Sequence, residues 1–319
     1  MFTSGGTEAN RLAILGALAG LRAAGVERPH AVVAAIDHPS TLEIYHRLEA
    51  EGALEITRVP ARPDGRTDPG EVIEALRPAT RIVSLLHASN ETGVIQDVQA
   101  LGEACRIRKI ALHCDAVQTL GKIPLRLGDL GADLVSLSSH KIGGPKGVGA
   151  LWIRAGAPFL PPFAGGPQER RLRPGTENLP GIAGFTRACD LIELREPFLR
   201  DRLLNALLAG IPGAVLNGAR EALLPNTLNI SIPGVASELL LIRLDLEGVC
   251  ASAGSACSSV AREPSHVLRA MGLGEDRVRS ALRLSLGWTT TEDDVDQAAA
   301  AIIRCAAELR SAPGAPLRP

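Results

Sequence analysis

Residues 133–147 read DLVSLSSHKIGGPKG, an apolar run followed at once by a serine pair, a histidine, a lysine and several glycines. The apolar run has the composition of a buried strand. Similar runs lie at residues 31–36, 54–59, 82–86, 110–114 and 150–153, and helical stretches separate them. Continuous Val/Ile/Leu runs alternating with helices are typical of a mainly parallel sheet covered on both faces. The stretch therefore indicates an α/β domain.

The remainder of the chain has a different pattern. A helix is predicted at residues 7–24, and a Pro/Gly-rich segment at 158–180 is followed by a helix around residues 184–194. Beyond it we predict two strands, residues 228–232 and 281–286, among helices at 238–246, 265–271 and 292–309. The boundary falls near Pro197. We expect a large α/β domain over residues 1–197 and a smaller α+β domain over residues 198–319.

The composition is that of an ordinary globular protein, with 45% hydrophobic and 22% charged residues among 319. A net charge of −1 provides no basic field to attract nucleic acid or an anionic membrane. The six cysteines form no C-x-x-C pair, which argues against a disulfide framework or a zinc site. We expect a cytoplasmic protein that binds its partners at discrete sites and binds neither nucleic acid nor membrane.

Lys141 follows the strand of the opening stretch. Desolvation at the end of a buried strand favours the neutral amine, which is the form that makes an imine. The hydroxyl of Ser138 and the ring of His140 are suited to bind a phosphate beside that amine. The alternative is that Lys141 is a surface residue at a strand end.

Asp115 comes directly after the strand at residues 110–114. A carboxylate at that depth is costly unless it meets a cation, and a pyridinium nitrogen is such a cation. Gln118 is positioned to donate to a phenolate oxygen of the same ring. With Lys141, these residues suggest pyridoxal phosphate (PLP). A helix cap is the alternative role for Asp115.

A second anion site is indicated by residues 4–10, SGGTEAN, where Gly6 and Thr7 open a helix. N–H groups and the dipole at such a helix start favour a phosphate, although a plain helix cap is equally compatible. His38, after the strand at 31–36, can stack on a planar cofactor or transfer protons, or have no role.

Cys257 lies in ASAGSACSS, residues 251–259, which has neither helical nor strand periodicity. We interpret it as a loop on which an exposed thiol becomes a reactive thiolate; an incidental free cysteine is the alternative. Arg283 is an isolated cation in an alternating strand and suits a bidentate grip on a substrate carboxylate. An internal salt bridge is its alternative role.

Together these segments resemble the cysteine desulfurases, PLP enzymes of the class V aminotransferase fold, in the branch whose active cysteine lies on a long loop. The resemblance spans almost the whole chain. It rests on motifs at residues 3–10, 90–93, 113–118, 138–147, 173–178, 255–257 and 283–287.

The resemblance implies an aspartate aminotransferase-like fold and a role for each motif residue. Lys141 would hold PLP as a Schiff base, with His38 stacked on the ring, Asp115 at its nitrogen and Gln118 at its phenolic oxygen. Cys257 would take sulfur from L-cysteine, giving L-alanine and a persulfide for acceptors such as an iron-sulfur scaffold or a tRNA-thiolation protein. The remaining implied residues are Gly6, Thr7, Ser138 and His140 at the phosphate, Thr176 from the partner subunit of a homodimer, and Asn90 and Arg283 at the substrate carboxylate.

The sequence differs from the family pattern at its start. Family members carry a stretch similar to Asn-Ala-Ala-Thr-Thr-Pro upstream of the segment matching residues 3–10, and this sequence begins after it. We therefore keep two alternatives to a cysteine desulfurase. One is a selenocysteine lyase or another class V PLP enzyme, and the other is a truncated, non-catalytic paralogue that serves as a binding partner.

Overall fold

The computed structural model describes residues 1–195, 197–254 and 264–311. The chain forms two compact units. The first consists of Met1–Pro60, Thr67–Ala88 and Gln96–Leu194, and the second of Ala61–Arg66, Ser89–Ile95 and the described residues from Arg195 onward. Each unit has its own sheet. The second unit thus includes two short segments from the first hundred residues.

The first unit is built on a seven-stranded sheet with the order β1-β7-β6-β5-β4-β2-β3. The pairs β2–β3, β2–β4, β4–β5 and β5–β6 are parallel, whereas β7 is antiparallel to both β6 and β1. The predicted α/β class with a mainly parallel sheet is therefore confirmed. The strands are β1 (Phe2–Thr3), β2 (His30–Ala34), β3 (Glu55–Val59), β4 (Thr80–Leu86), β5 (Ala111–Asp115), β6 (Leu134–Ser138) and β7 (Gly149–Ile153).

Five helices accompany this sheet: α1 (Gly6–Ala23), α2 (Pro39–Ala50), α3 (Pro69–Glu74), α4 (Gln99–Ile107) and α5 (Leu179–Asp190). The apolar face of α1 packs on the sheet and shares one core with the strands, which includes Leu12, Ile14, Leu112, Leu134 and Leu151. All five side chains are at most 1% exposed. This core fixes the start of α1 beside the ends of β5 and β6.

Helix α5 differs from its sequence prediction, because it begins at Leu179 and ends at Asp190 rather than spanning residues 184–194. Asn178 caps it, and its side-chain oxygen accepts a hydrogen bond from the Gly181 N–H. Pro180 lies in the first turn, where the missing N–H costs nothing. The first residues of α5 thus lie within the Pro/Gly-rich segment, where the composition gave no indication of a helix.

The second unit has a three-stranded antiparallel sheet in the order β10-β9-β8, with β8 (Val215–Leu216), β9 (Thr227–Ser231) and β10 (Ala281–Ser285). Both predicted strands are present, and β8 was not expected. A core that includes Leu204, Leu207, Ile230, Leu240 and Ile302 joins the sheet to its helices. These helices are α6 (Phe198–Gly210), α7 (Ser237–Leu246), α8 (His266–Ala270), α9 (Glu275–Arg279) and α10 (Glu292–Ser311).

Within the described ranges, no helix combines the length and the apolar character that crossing a bilayer requires.

Candidate active site

Candidate residues gather at one edge of the seven-stranded sheet. Asp115 is the last residue of β5 and Ser138 the last of β6, and His38 follows β2. Because β2, β4, β5 and β6 run parallel, their carboxyl ends lie along the same edge. Ligands of open α/β sheets bind outside this edge.

Asp115 is held by two neutral donors. Its Oδ1 accepts the Val117 N–H at 3.0 Å, and its Oδ2 accepts Asn10 Nδ2 from α1 at 2.7 Å. The side chain is 8% exposed. Residues 117–122 form a turn and not a helix, and Asp115 Oδ1 accepts a main-chain N–H of that turn, so the two roles considered for Asp115 are compatible. Neither of these two donors is a cation, and a pyridinium nitrogen is the kind of cation that such a buried carboxyl group suits.

The side chain of Lys141 is exposed. The expectation that the buried strand before it removes the lysine from water is therefore wrong. The reason is local: β6 ends at Ser138, and a 3₁₀ turn over Ser139–Ile142 carries the lysine out past the sheet. Gly143 ends this turn with a φ of 78°, which favours glycine. The lysine therefore stands at the sheet edge, where a bound molecule rather than the strand would bury it.

Ser138 and His140 form a pair beside this lysine. Ser138 is fully buried, and its Oγ lies 2.9 Å from His140 Nδ1. Burial lowers the pKa of His140, and the charges of Lys141 and Lys146 lower it further. The ring is thus favoured as a neutral group that can hydrogen-bond an anion.

The start of α1 has the shape of an anion cradle. A Cβ at Gly6 would lie 2.8 Å from Val117 Cγ2 and 3.5 Å from the Ser138 Cβ, so only glycine fits without displacement. No side chain caps the helix at Gly5, which leaves this helix start suited to an anion. Thr7 is exposed in the first turn. Gly6, Thr7, Ser138 and His140 together supply the donors that a phosphate needs, and with Asp115 they fit PLP.

His38 and Gln118 lie at the same edge. His38 is half-buried and caps α2, since its Nδ1 accepts the Ser40 N–H at 3.1 Å. Gln118 lies in the turn after Asp115, where its Oε1 accepts Lys122 Nζ. The Gln118 side-chain amide N–H groups are then the part that suits a phenolate oxygen.

Thr176 lines a different feature of the first unit, a cavity of about 160 Å³ whose walls include Phe2, Ser4 and Val148. Its segment is tied to α1 by the ion pair between Arg173 Nε and Glu8 Oε1, at 3.0 Å. The role of Thr176 toward a partner subunit stays a prediction.

In the second unit, the two residues expected at a substrate carboxylate lie together. Arg283 Nη1 donates to the main-chain oxygen of Asn90 at 3.2 Å. Arg283 on β10 also pairs with Ser252 through two main-chain hydrogen bonds. Cys257 lies outside the described residues.

Three polar residues were missed by sequence reasoning: Asn10, Ser40 and Glu91. Asn10 appeared only as the end of a glycine-rich motif, and Ser40 only as a neighbour of His38. Glu91 adjoins Asn90, is 1% exposed and accepts a hydrogen bond from the Ser265 hydroxyl. The one available signal was position, because each lies within or next to a motif already singled out.

Comparison with known proteins agrees with this geometry. Residues 1–298 match the family model for aminotransferase class V. A cysteine desulfurase IscS of Dictyoglomus turgidum is 42% identical over 318 residues, which are 98% of this chain and 80% of the relative. A solved NifS-like protein has a TM-score of 0.87 at 33% identity, covering 97% of this chain and 82% of the other. The structure of SspA in complex with cysteine has a TM-score of 0.78 at 30% identity, covering 90% and 80%.

The chain therefore belongs to the class V aminotransferase family, whose fold is that of PLP-dependent enzymes. Within that family it belongs with the cysteine desulfurases.

Proposed function

We propose that this cysteine desulfurase binds PLP at Lys141 and transfers sulfur from L-cysteine to Cys257. The observation that carries the proposal is the arrangement at the sheet edge. Asp115 is fixed by two neutral donors, while Ser138, His140 and Lys141 follow the neighbouring strand. One end of this edge suits a pyridinium nitrogen and the other a phosphate.

Different residues of the first unit would bind different parts of the cofactor. Thr7, Ser138 and His140 bind the phosphate against the Gly6 turn, and Asp115 holds the ring nitrogen protonated. Gln118 donates to the phenolic oxygen and His38 stacks on the ring. When bound, PLP supplies an electron sink that weakens the bonds at the substrate carbon.

Side chains of the protein would carry out the other steps of the reaction. Asn90 and Arg283 hold the carboxylate of L-cysteine, and the Lys141 amine takes the proton from its α-carbon. The Cys257 thiolate attacks the substrate sulfur, so an S–S bond forms as the C–S bond breaks; the electron pair of that bond stays with the carbon fragment, whose β-carbon takes up a proton and whose α-carbon regains the one it lost. The products are L-alanine and a persulfide on Cys257, and they account for every atom of the two reactants.

We further propose a cytoplasmic homodimer in which Thr176 completes the phosphate site of the partner subunit. The proposal includes a cofactor-binding domain over residues 1–197 and a small domain over residues 198–319 that carries Cys257. The persulfide would pass to an acceptor protein such as an iron-sulfur scaffold or a tRNA-thiolation protein. Thr176 is exposed, on a segment that Arg173 and Glu8 anchor to α1 of its own chain, and an exposed hydroxyl is accessible to a partner subunit.

The Cys257→Ser variant tests this function. It should keep bound PLP and lose more than about 99% of alanine formation from L-cysteine, because a hydroxyl cannot accept the sulfur atom. Cys250→Ser is the matched control, since Cys250 is an exposed thiol of the second unit and should be dispensable.

Undiminished alanine formation by Cys257→Ser would contradict the proposal. Activity retained only with selenocysteine would favour a selenocysteine lyase. Failure of the wild-type chain to bind PLP at all would favour a non-catalytic binding partner.

A further inference from the structure

Asn10 is a fully buried amide that the desulfurase motifs leave without a role. It is 1% exposed and points both hydrogens of Nδ2 at polar side chains. One goes to Asp115 Oδ2 at 2.7 Å, and the other goes to Ser40 Oγ at 2.9 Å. Its own Oδ1 is buried and has no hydrogen-bond partner among the described residues. Asn10 thus uses its donors and leaves its acceptor unused.

The direction of these bonds is determined by their partners. Asp115 Oδ2 accepts the hydrogen bond from Asn10 Nδ2, so the nitrogen of the Asn10 amide faces the carboxyl group. The Ser40 hydroxyl accepts from Asn10 and has a single hydrogen left. That hydrogen goes to His38 Nδ1, which lies 2.7 Å from Ser40 Oγ and also accepts the Ser40 N–H. With Nδ1 the acceptor in both contacts, the ring N–H is on Nε2.

From this geometry we infer that Asn10 is a positioning residue that acts at two places of the proposed cofactor site, the ring nitrogen and one ring face. It fixes the Asp115 carboxylate toward the ring nitrogen and, through Ser40, fixes the orientation and tautomer of His38. The inference rests on the proposed function, because its two targets are the residues expected at the ring nitrogen and at the ring face. It adds that the two are set by one buried amide.

The isosteric variant Asn10→Asp tests the Asp115 end most directly. It replaces an N–H donor by an oxygen 2.7 Å from a carboxylate oxygen, and two carboxylates at that separation share one proton. A shift of one pKa unit in a carboxyl group corresponds to a tenfold change in its equilibrium constant for proton binding. We therefore expect the dissociation constant for PLP, measured by titrating apoprotein, to rise about tenfold or more.

The visible absorption spectrum of the bound cofactor provides a readout that a merely structural role would not change. Asn10→Asp and the uncharged Asn10→Leu should both shift this spectrum, since each removes the donor to Asp115. Ser40→Ala keeps that donor, so it should leave the spectrum as in the wild type and raise the dissociation constant only about threefold.

Thr41→Val is the matched control. Thr41 lies next to Ser40 on α2, is 1% exposed, and its hydroxyl has no hydrogen-bond partner among the described residues. The variant should bind PLP as the wild type does. Thermal unfolding of each apoprotein separates general destabilisation from loss of the site.

Wild-type affinity and spectrum in both Asn10 variants would overturn the inference, as would lowered thermal stability with an unchanged spectrum. A dissociation constant for PLP that is the same in Ser40→Ala as in Thr41→Val would overturn the part of the inference that runs through Ser40 to His38. Absence of PLP binding by the wild type contradicts the proposed function itself, which keeps the two failures distinct.

Discussion

Asp115 is the residue on which the proposed chemistry depends most. Its carboxylate is nearly buried, and both of its identified donors are uncharged. In such surroundings a negative charge is stabilised by dipoles but not neutralised, and it can hold a proton on a facing pyridine nitrogen. The strand end supplies the position and Asn10 supplies the orientation.

The Asp115→Asn variant should lower kcat for alanine formation by about 100-fold or more, equivalent to about 2.7 kcal/mol of activation free energy. The reason is that a neutral amide cannot keep the ring nitrogen protonated. Steady-state assays at saturating PLP measure the effect. The exposed Asp129→Asn serves as the control, and a wild-type kcat in Asp115→Asn would refute the assignment.

At this scale the sequence indicated the positions of site residues better than their surroundings. Ser138, His140 and Lys141 were recognisable because they follow an apolar strand directly. The exposure of Lys141 was not, since it depends on the 3₁₀ turn that begins one residue after β6. The partnership of Asn10 with Asp115 was not predictable either, because 105 residues separate the two in sequence.

At the scale of elements, a buried polar ladder joins the strands under the site. His113 on β5 is hydrogen-bonded to Ser84 on β4 through Nδ1 at 3.0 Å and to Ser136 on β6 through Nε2 at 3.1 Å. Ser84 is also hydrogen-bonded to Tyr45 on α2. Desolvation lowers the pKa of His113 to about 4. The ladder is built around a neutral imidazole.

This ladder predicts a pH dependence of stability. Between pH 6.5 and about 4 the unfolded chain binds a proton at His113 that the folded chain does not. The neutral His113 therefore makes its full contribution to the stability of the fold above pH 6.5. As the pH falls toward 4, the free energy of unfolding decreases by up to about 3 kcal/mol because of this group. The variant His113→Asn should show a shallower decline over this range.

Urea unfolding at a series of pH values measures this slope. His87, whose pKa is also lowered to about 4, remains in the variant and preserves part of the decline. His46→Gln is the control, because the His46 side chain is 71% exposed. An unchanged slope in His113→Asn would contradict the account.

The elements themselves were predicted unevenly from the sequence, for physical reasons. The central parallel strands β2, β4, β5 and β6 were visible because both of their faces are largely buried, which produces mainly apolar runs, whereas the edge strand β3 is mostly exposed or half-buried. Strand β8 has only two residues, too few for a recognisable period. Helix α5 was shifted because Pro180, a helix breaker elsewhere, is compatible with its first turn.

At the scale of the whole molecule, the proposed dimer makes a prediction that a monomeric site does not. If Thr176 acts across the dimer, hybrids of a Lys141→Ala chain and a Thr176→Val chain contain one wholly wild-type site. That site should bind PLP with wild-type affinity, whereas the Thr176→Val homodimer should bind about tenfold more weakly for loss of a hydrogen bond to phosphate. Titration of purified hybrids with PLP measures both values.

The same experiment has a defined opposite outcome. If Thr176 acts within its own chain, the intact lysine and the altered threonine share one site, and the hybrid binds as weakly as the Thr176→Val homodimer. A monomer in analytical ultracentrifugation would equally contradict the proposed assembly.

The central claim is that Lys141 holds the cofactor, and borohydride reduction tests it most directly. The wild-type protein is incubated with PLP, reduced, digested and mapped by mass spectrometry. The account predicts one pyridoxyl group, on the peptide that contains Lys141, and none at Lys146 on the same turn-rich segment. A label on another lysine, or no label at all, would contradict it.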